Sequence, residues 1–478
     1  MAGFKEILKH GKNYLGASLA TRALAFISIP IYTRLLSTQE YGVISVFMGV
    51  AIVIGSIMTL SIDRSISRYF FDQKNSNDFN SFVGTSAILA SIVFLINATL
   101  LAIFAEDFGK LVGLEKGVVY LLIPFTLINI IGLTFEQIYG PQKKSKIIVI
   151  SSLYRVYISF ALSLILILLF KEDKYYGQII GQVVAGVLIS IYWIKSIKPY
   201  FKLVYKKSYL KYIFTYSVPL IPYAISGVII EQFGKITIGK TQSVREAGYY
   251  SLALAVSSLV SIIISVTHQA WNPYYFEYMN SKNYKQLDSD FGIIFKLTIL
   301  GAFGIAAFGE EIGLMLAKKE FSSSLYLIPI FTIGYIFYQF SYAYLRNFGY
   351  SKSTFYITIT VFISGISNVV LNFILIKQLG EIGVAISFVL SYIIMAFIGW
   401  FINNFLVKLH ATPVKHMLIP IFIVLPFYSM LYFIMNIDSL FYSIPIKFFL
   451  CVLLTAIIFW KDRNEIISFI KKNLIKYF

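Results

Sequence analysis

The chain has 478 residues and a formal net charge of +18, and 58% of its residues are hydrophobic whereas only 13% are charged. An ordinary soluble domain carries about 25% charged residues, so no water-soluble core could bury this much apolar side chain. The composition therefore excludes a soluble enzyme and indicates a protein embedded in a lipid bilayer.

Apolar stretches long enough to cross a bilayer follow one another along nearly the whole chain. A membrane-spanning helix needs roughly 20 mostly apolar residues. Breaking the sequence at clusters of charged residues, Gly and Pro predicts about fourteen such helices. In chain order they cover residues 13–35, 41–61, 80–105, 117–139, 147–170, 177–194, 212–234, 247–271, 291–316, 324–345, 353–376, 382–406, 417–436 and 443–460. The sequence thus predicts an all-α, polytopic membrane protein.

The basic residues lie mostly in short loops on one side of these helices, which predicts their orientation. The connection from Lys195 to Lys211 holds six lysines and no acid. Because cytoplasmic loops are enriched in Lys and Arg, this side is predicted to be cytoplasmic, and with an even number of spans both termini lie there too. Basic residues distributed in this way indicate topology, and they argue against binding to nucleic acid.

An internal repeat relates the two halves of the chain at a constant offset of 206 residues. Three separated places match in register, which chance rarely produces. The matched segments are Glu40-Tyr41-Gly42 with Glu246-Ala247-Gly248, Ser145-Lys146 with Ser351-Lys352, and Gly177 with Gly383. Six spans separate equivalent points, so the halves share one orientation and are predicted to be related by a pseudo-twofold axis along the membrane normal.

The repeat predicts three segments. Residues 1–200 form an N-terminal lobe of spans one to six, and residues 201–410 form a C-terminal lobe of spans seven to twelve. Residues 411–478 form a trailing helix pair and a basic tail. In transporters built from such repeats the substrate site lies between the lobes, and transport proceeds by rocking one lobe against the other.

Ionisable side chains inside the predicted spans are the strongest candidates for function, because each costs roughly 2.5–3.5 kcal/mol at the centre of a membrane helix. Arg22 lies near the middle of the first span and Arg155 lies deep in the fifth. A buried guanidinium requires an acidic partner or an anionic ligand. Glu136 is a candidate partner for Arg155, whereas Arg22 has no obvious acid and either binds an anion or donates to backbone carbonyls.

Three further groups of polar residues lie in or beside the spans. Arg64 and Arg68 share one helical face at the end of the second span, where they either contact phosphate oxygens or anchor the helix at the interface. The i, i+4 spacing of Glu231 and Lys235 favours an intrahelical pair. His268 lies in an apolar stretch, which favours a hydrogen-bonded packing role over proton coupling.

Motifs for enzymatic chemistry are missing from the sequence. There is no Gly-rich phosphate loop of the Walker type and no HExxH or clustered Cys/His pattern. The sequence therefore predicts neither a catalytic residue, nor a metal site, nor a cofactor.

Several segments resemble bacterial polysaccharide and O-antigen flippases of the multidrug/oligosaccharidyl-lipid/polysaccharide exporter superfamily. The resemblance is carried by residues 30–37 (PIYTRLLS), by Glu40-Tyr41-Gly42, by residues 63–70 (DRSISRYF), by residues 247–251 (AGYYS) and by residues 271–275 (WNPYY). It implies a two-lobed helical bundle in the bacterial plasma membrane that moves an undecaprenyl-diphosphate-linked oligosaccharide from the cytoplasmic to the outer leaflet, alongside other polysaccharide-assembly proteins.

The resemblance also bears on individual residues. It implies a cationic cavity lined by the first, second, seventh and eighth spans, and Arg22, Arg64 and Arg68 lie on two of these. Many relatives carry an Asp-Arg pair late in the seventh span, where this chain has Gly234-Lys235, so ion coupling at that place is in doubt.

Two other functions are considered. A multidrug/cation antiporter of the same superfamily requires buried acids to hold cations, whereas this chain buries arginines. A membrane-embedded glycan polymerase or ligase is expected to carry a large outer loop, whereas the loops predicted here are short.

Overall fold

A computed structural model of the chain describes residues 24, 27–72, 76–142, 144–202, 204, 206–218, 221–434 and 440–460. In these residues the regular structure is helical throughout and no strand is formed. Helix α1 is described over 27–35. The others are α2 (Thr38–Thr59), α3 (Ile62–Asp72), α4 (Ser76–Ile103), α5 (Ala105–Val112), α6 (Lys116–Tyr139), α7 (Ser145–Leu169), α8 (Lys174–Ile197), α9 (Lys207–Ser217), α10 (Ile221–Thr241), α11 (Val244–Ser257), α12 (Leu259–Ser281), α13 (Tyr284–Leu316), α14 (Ile328–Tyr350), α15 (Thr354–Ile402), α16 (Lys415–Ile434) and α17 (Leu440–Ile458).

The helices confirm the predicted polytopic all-α class. Within the described part, 11 helical stretches are long and apolar enough to cross a membrane. One of them, Thr354–Val407, contains two predicted spans, and it consists of two helices that meet at Gly380, whose backbone is not helical (φ 60°, ψ −137°). The last predicted span is a shorter apolar helix, Tyr442–Ile458, and the first lies mostly outside the described residues.

The second predicted span ends where the structure breaks. Helix α2 ends at Thr59, the chain turns at Leu60 and Ser61, which both have positive φ, and it then continues as α3 to Asp72. Neither turn residue is Gly or Pro, so the sequence does not predict their left-handed conformation.

Glu40 fixes the start of α2 and contacts a second helix. Its carboxylate accepts a hydrogen bond from Ser37 N at 2.8 Å while Ser37 Oγ accepts from Glu40 N, which is a complete capping box. The other carboxylate oxygen of Glu40 accepts from Lys174 N at the start of α8. One acid of the repeated motif thus satisfies donors at two helix N-termini, where negative charge is favourable.

The described helices divide into two compact units. The first comprises Met1–Ser251, Met315–Phe321 and Val361–Val384, and the second comprises Leu252–Leu314, Ser322–Thr360 and Ala385–Phe478. The two units are defined by the contacts between residues in the structure. The predicted division into three segments at residues 200 and 410 is a different one and stays a prediction.

The first unit has an aromatic core between α3, α4, α6, α8 and α9. Phe82, Phe135 and Trp193 are buried there, and the ring of Tyr69 stacks on Phe82 with 3.8 Å between centroids. Aromatic side chains bury large areas, so this cluster holds these helices together.

Two glycines that are equivalent in the repeat contact one another in the first unit. A Cβ added to Gly42 of α2 would overlap the carbonyl oxygen of Val244 in α11. A Cβ added to Gly248 of α11 would lie 2.8 Å from the carbonyl oxygen of Thr38 in α2. Residues 42 and 248, and residues 38 and 244, are each related by the offset of 206. The backbones of α2 and α11 therefore approach each other in the two-fold manner that the repeat predicts.

The second unit contains a buried ion pair that sequence reasoning missed. Lys447 of α17 lies 2.5 Å from Glu311 Oε1 of α13, and the side chain of Lys447 is only 2% exposed. Glu311 Oε2 is also buried and has no hydrogen-bond partner in the described part of the chain. This pair connects the trailing helices to α13 by a charge contact that is costly to break.

Large apolar side chains stay exposed along the outer faces of the helices. Leu169 of α7 is 70% exposed and Phe433 of α16 is 72% exposed. In water such surfaces would be unstable, whereas in a bilayer they contact lipid tails.

We expect Gly42→Ala to destabilise the protein by about 1–3 kcal/mol, because the new methyl group overlaps the backbone of α11. Gly227→Ala in α10 is the matched control: a Cβ there meets nothing within 4 Å. Alanine also favours the helix, so the control should be neutral or slightly stabilising. Thermal unfolding in detergent micelles measures both. Equal midpoints for the two variants would contradict the tight crossing.

Replacing Lys447 with methionine should leave the carboxylate of Glu311 buried and unpaired. We expect a loss of about 3–5 kcal/mol of unfolding free energy, most of which is restored in the double variant Lys447→Met/Glu311→Leu. Chemical unfolding in detergent, analysed as a double-mutant cycle, measures this coupling. The exposed Lys415→Met serves as the control, and additive effects of the two buried substitutions would argue against the ion pair.

Candidate functional site

The deepest predicted arginine, Arg22, lies outside the described residues. Its helix is described from residue 27 onward. Its anion-binding role therefore stays a prediction.

The two arginines of α3 have different surroundings. Arg64 is half-buried and its guanidinium carbon lies 5.9 Å from the ring centroid of Tyr223 in α10. Arg68 is 55% exposed and forms an ion pair at 3.2 Å with Asp72, one turn further along. The charge of Arg68 is thus compensated at the surface, whereas Arg64 is positioned by an aromatic ring.

Arg155 is held by neutral partners. Its Nη2 donates to Asn129 Oδ1 at 2.5 Å, and its guanidinium carbon lies 5.6 Å from the ring of Trp193. Among the described residues it forms no ion pair with Glu136, although the two groups are close enough to interact electrostatically. The remaining donors of the guanidinium are available to a ligand with oxygen acceptors.

Glu136 lines an open cavity of about 390 Å³ at the ends of α3, α6 and α7, beside Ser67 and Gln137. Its carboxylate is in electrostatic range of both Arg155 and Asp63. The first unit therefore brings Arg155, Glu136 and the start of α3 together.

Glu231 and Lys235 are neighbours on α10, both half-buried. Lys235 Nζ donates to Gln232 Oε1 at 3.1 Å, and the Glu231 carboxylate interacts with the ammonium electrostatically. In the described structure the lysine is thus positioned by an amide, with the acid nearby.

His268 belongs to a polar cluster in the second unit. Its Nε2 lies 2.7 Å from Gln339 Oε1, and its Nδ1 contacts Nη2 of Arg346. A guanidinium can only donate, so Nδ1 accepts, which assigns the proton to Nε2 and makes the imidazole neutral. His268 therefore has the hydrogen-bonded geometry that a packing role requires.

Arg346 is a half-buried cation that sequence reasoning missed. The predicted span ended at residue 345, but α14 continues to Tyr350 and includes it. Its guanidinium carbon lies 4.5 Å from the Trp271 ring and 5.3 Å from the Tyr275 ring. Its Nη1 atom is buried and has no hydrogen-bond partner among the residues that the structure describes. A longer predicted helix would have found this arginine.

Aromatic side chains line a second cavity in this unit, of about 360 Å³, between α12 and α13. Trp271, Tyr274 and Tyr278 lie along one face of α12, and Asp290 faces them from α13. Aromatic rings with few polar groups form the usual lining of small-molecule sites.

Hydrogen bonds to Asp78 of α4 hold the basic connection between the predicted halves, residues 195–211, against this helix. Asp78 accepts hydrogen bonds from Tyr69 and Tyr209, each at 2.5 Å, and from Lys206 at 2.9 Å. The hydrogen bonds that Lys206 makes with Tyr209 and Asp78 raise the pKa of its ammonium group. This lysine of the basic connection is thus fixed as a cation.

Within the described residues, no three His, Cys, Asp or Glu side chains lie close enough together to hold a metal ion. Each unit holds a half-buried guanidinium, Arg155 in the first and Arg346 in the second, and guanidinium groups bind anionic oxygen atoms.

Comparison with known sequences identifies the family. The sequence model of the polysaccharide biosynthesis protein family matches residues 8–279. A protein of the Lsg locus of Haemophilus influenzae is 22% identical over 347 residues, which are 69% of this chain and 81% of that protein.

Comparison with solved structures identifies the fold. The lipid II flippase MurJ in an inward closed conformation superposes with a TM-score of 0.72 at 16% identity, covering 93% of this chain and 98% of MurJ. An inward-facing multidrug resistance MATE transporter of the MOP superfamily gives a TM-score of 0.60 at 15% identity, covering 81% of this chain and 94% of the transporter.

These matches confirm the resemblance carried by the sequence motifs. The chain is a multi-pass membrane protein with the MurJ- and MATE-like transporter fold, and it belongs to the polysaccharide biosynthesis protein family.

Proposed function

We propose that this protein is a flippase without catalytic chemistry, which carries an undecaprenyl-diphosphate-linked oligosaccharide across the bacterial plasma membrane. The family and the transporter fold support transport of a lipid-linked glycan. The positive-inside pattern supports cytoplasmic termini. The oligosaccharide is proposed to move from the cytoplasmic to the outer leaflet. Transport proceeds by alternating access of the two predicted lobes.

The observation that carries the proposal is the state of the buried arginines in the first unit. Arg64 and Arg155 are both half-buried, and within the described residues neither forms an ion pair with a carboxylate. Aromatic rings and an amide position them instead. Because an uncompensated guanidinium is costly inside a membrane protein, an anionic ligand is the partner that stabilises it.

A diphosphate is the anion that suits this arrangement. Its oxygens accept paired hydrogen bonds from a guanidinium fork, and the charge of several arginines neutralises it. Arg64, Arg155 and Arg22 act on the diphosphate, whereas Arg68, paired with Asp72, assists from the surface. The prenyl tail stays in lipid. An inside-negative potential helps an anion leave, by about 2.3 kcal/mol per charge per 100 mV.

These positive charges argue against the alternative function, an antiporter of the same fold that transports an organic cation. The half-buried guanidiniums of Arg64 and Arg155 repel a cation in the first unit, and the two acids near them, Asp63 and Glu136, are each in electrostatic range of one of these arginines. The aromatic cavity of about 360 Å³ suits a sugar ring stacked on Trp271 or Tyr274. The substrate is therefore proposed to be an anionic glycolipid.

We expect Arg155→Ala to lower the rate of flipping by about 10- to 100-fold, since a charge-assisted hydrogen bond to phosphate contributes about 1.5–3 kcal/mol. Arg155→Lys should recover part of the rate, because lysine keeps the charge without the fork. Flipping of a lipid-linked oligosaccharide into sealed proteoliposomes measures the rate. The exposed Arg245→Ala is the control, and full activity of Arg155→Ala at normal abundance would exclude its role.

Arg22 allows an independent test in the first span. We expect Arg22→Ala to abolish flipping while the protein level in the membrane stays normal, and Arg22→Lys to restore part of it. The same vesicle assay, with immunoblotting of the membranes, makes the measurement. If both variants flip at the rate of the unmodified protein, Arg22 has a structural role only.

A further inference from the structure

A small, mostly enclosed cavity lies in the second unit beside Arg346, and we call it the Arg346 cavity. Its volume is about 10 Å³, which is roughly the space of one water molecule. Trp271 and Tyr275 of α12 line it together with Arg346 and Asn347 of α14. Residues of α13 and of the connection before α16 complete the lining. The cavity therefore lies where several parts of the second unit meet.

Two side chains at this cavity have buried N–H groups without a partner. Trp271 is only 6% exposed, and its indole Nε1 atom has no hydrogen-bond partner among the described residues. The same holds for Nη1 of Arg346, which carries two hydrogen atoms. Buried donors in folded proteins are almost always satisfied, so three unpaired N–H groups at one cavity need an explanation. A ligand that accepts hydrogen bonds inside the cavity supplies one.

Tyr275 and Asn347 form a hydrogen-bonded wall of the cavity. The hydroxyl of Tyr275 donates to Asn347 Oδ1 at 2.6 Å. The Nδ2 atom of Asn347 donates to Asn403 Oδ1 at 2.8 Å and to the carbonyl oxygen of His410 at 2.9 Å. These contacts fix the wall, and they do not involve the unpaired N–H groups.

Arg346 gives the cavity a positive charge that no described carboxylate neutralises. Its Nη2 atom donates to Nδ1 of His268, which is a neutral imidazole. The acids at the start of α13 have other partners: Asp288 pairs with His410 at 3.0 Å, and Asp290 accepts from a glutamine of its own helix at 2.7 Å. Because a guanidinium without a counter-charge is costly inside a membrane protein, the occupant of the cavity is expected to be negative.

The charge and the volume together select the occupant. A water molecule fits and accepts hydrogen bonds, but it leaves the guanidinium charge uncompensated. A carboxylate, a phosphate or a sulfate carries the charge, but each has several heavy atoms and exceeds a cavity of about 10 Å³. A halide ion is a single atom, little larger than a water molecule, and accepts hydrogen bonds from any direction. Chloride therefore meets both requirements.

We propose that the Arg346 cavity binds one chloride ion through the indole N–H of Trp271 and the Nη1 hydrogens of Arg346. The ion neutralises the guanidinium, which His268 and the Trp271 ring hold in place. It joins α12 to α14 beside the connection that leads to α16 and α17, so its binding stabilises the fold of the second unit. The site does not depend on the proposed flippase function.

Binding of radioactive chloride to the purified full-length protein in detergent tests the site without any glycolipid. We expect saturable binding that bromide displaces and that gluconate and sulfate do not, because the larger anions do not fit. Arg346→Gln should weaken binding by at least about tenfold, because it removes a charge-assisted contact. Trp271→Phe should weaken it several-fold, because it removes the indole N–H and keeps an aromatic ring.

The half-buried Trp400→Phe and the exposed Arg245→Gln are the matched controls, and both should bind chloride as the unmodified protein does. Trp271→Phe keeps the test valid if Arg346→Gln fails to fold. The proposal is overturned if the unmodified protein shows no saturable chloride binding, in which case water fills the cavity. Unchanged binding in both cavity variants would overturn it as well.

Thermal unfolding in potassium chloride and in potassium gluconate of equal concentration gives a second readout. The unfolding midpoint of the unmodified protein should be higher in chloride, because chloride binds the folded state. Trp271→Phe should reduce the difference between the two salts, whereas Trp400→Phe should keep it. Equal midpoints of the unmodified protein in both salts would contradict the stabilising role of the ion.

Discussion

The contact between Gly42 and Gly248 sets the geometry of the first unit. The absence of a side chain on each residue lets the backbones of α2 and α11 approach, and each glycine faces the first residue of the other helix. This contact holds the start of α2 against the start of α11. Asp63 and Arg64 lie beyond the other end of α2, directly after its break, so α2 connects the crossing to the place where both charges lie.

The bilayer explains how the charged residues inside each unit are arranged. Without water, each buried polar group needs a partner inside the protein. The chain meets this need in two ways. Lys447 and Glu311 neutralise each other at 2.5 Å, which fixes helices and leaves little charge for a ligand. Arg155 and Arg346 instead rest on aromatic rings and amide or imidazole groups, which hold the guanidinium without neutralising it. We infer that a guanidinium is held by neutral groups at those places where the protein uses its positive charge to bind a ligand.

The sequence predicts local features of this molecule better than its distant contacts. The hydropathy pattern predicted where the helices lie. The offset of 206 residues identified the two motifs whose glycines, Gly42 and Gly248, contact one another. The pairing of His268 with Arg346 joins α12 to α14, and no periodicity or spacing encodes such a contact. The end of the second span was predicted at residue 61, where the structure breaks, but the left-handed conformation of Leu60 and Ser61 was not predicted, because such residues ordinarily continue a helix. Asp63 and Ser86 lie 23 positions apart, and only the packing of α3 on α4 brings them to one cavity.

The seventh span shows how this chain departs from the pattern that the family resemblance implies. The resemblance implies an acid where Gly234 stands, and a Cβ there would lie 2.5 Å from Tyr250 Oη and 2.8 Å from Val384. An aspartate therefore does not fit unless Tyr250, which is fully buried, moves. Without that acid, the charge at this place is that of Lys235, which repels a cation. Space and charge therefore both argue against a cation site at residue 234.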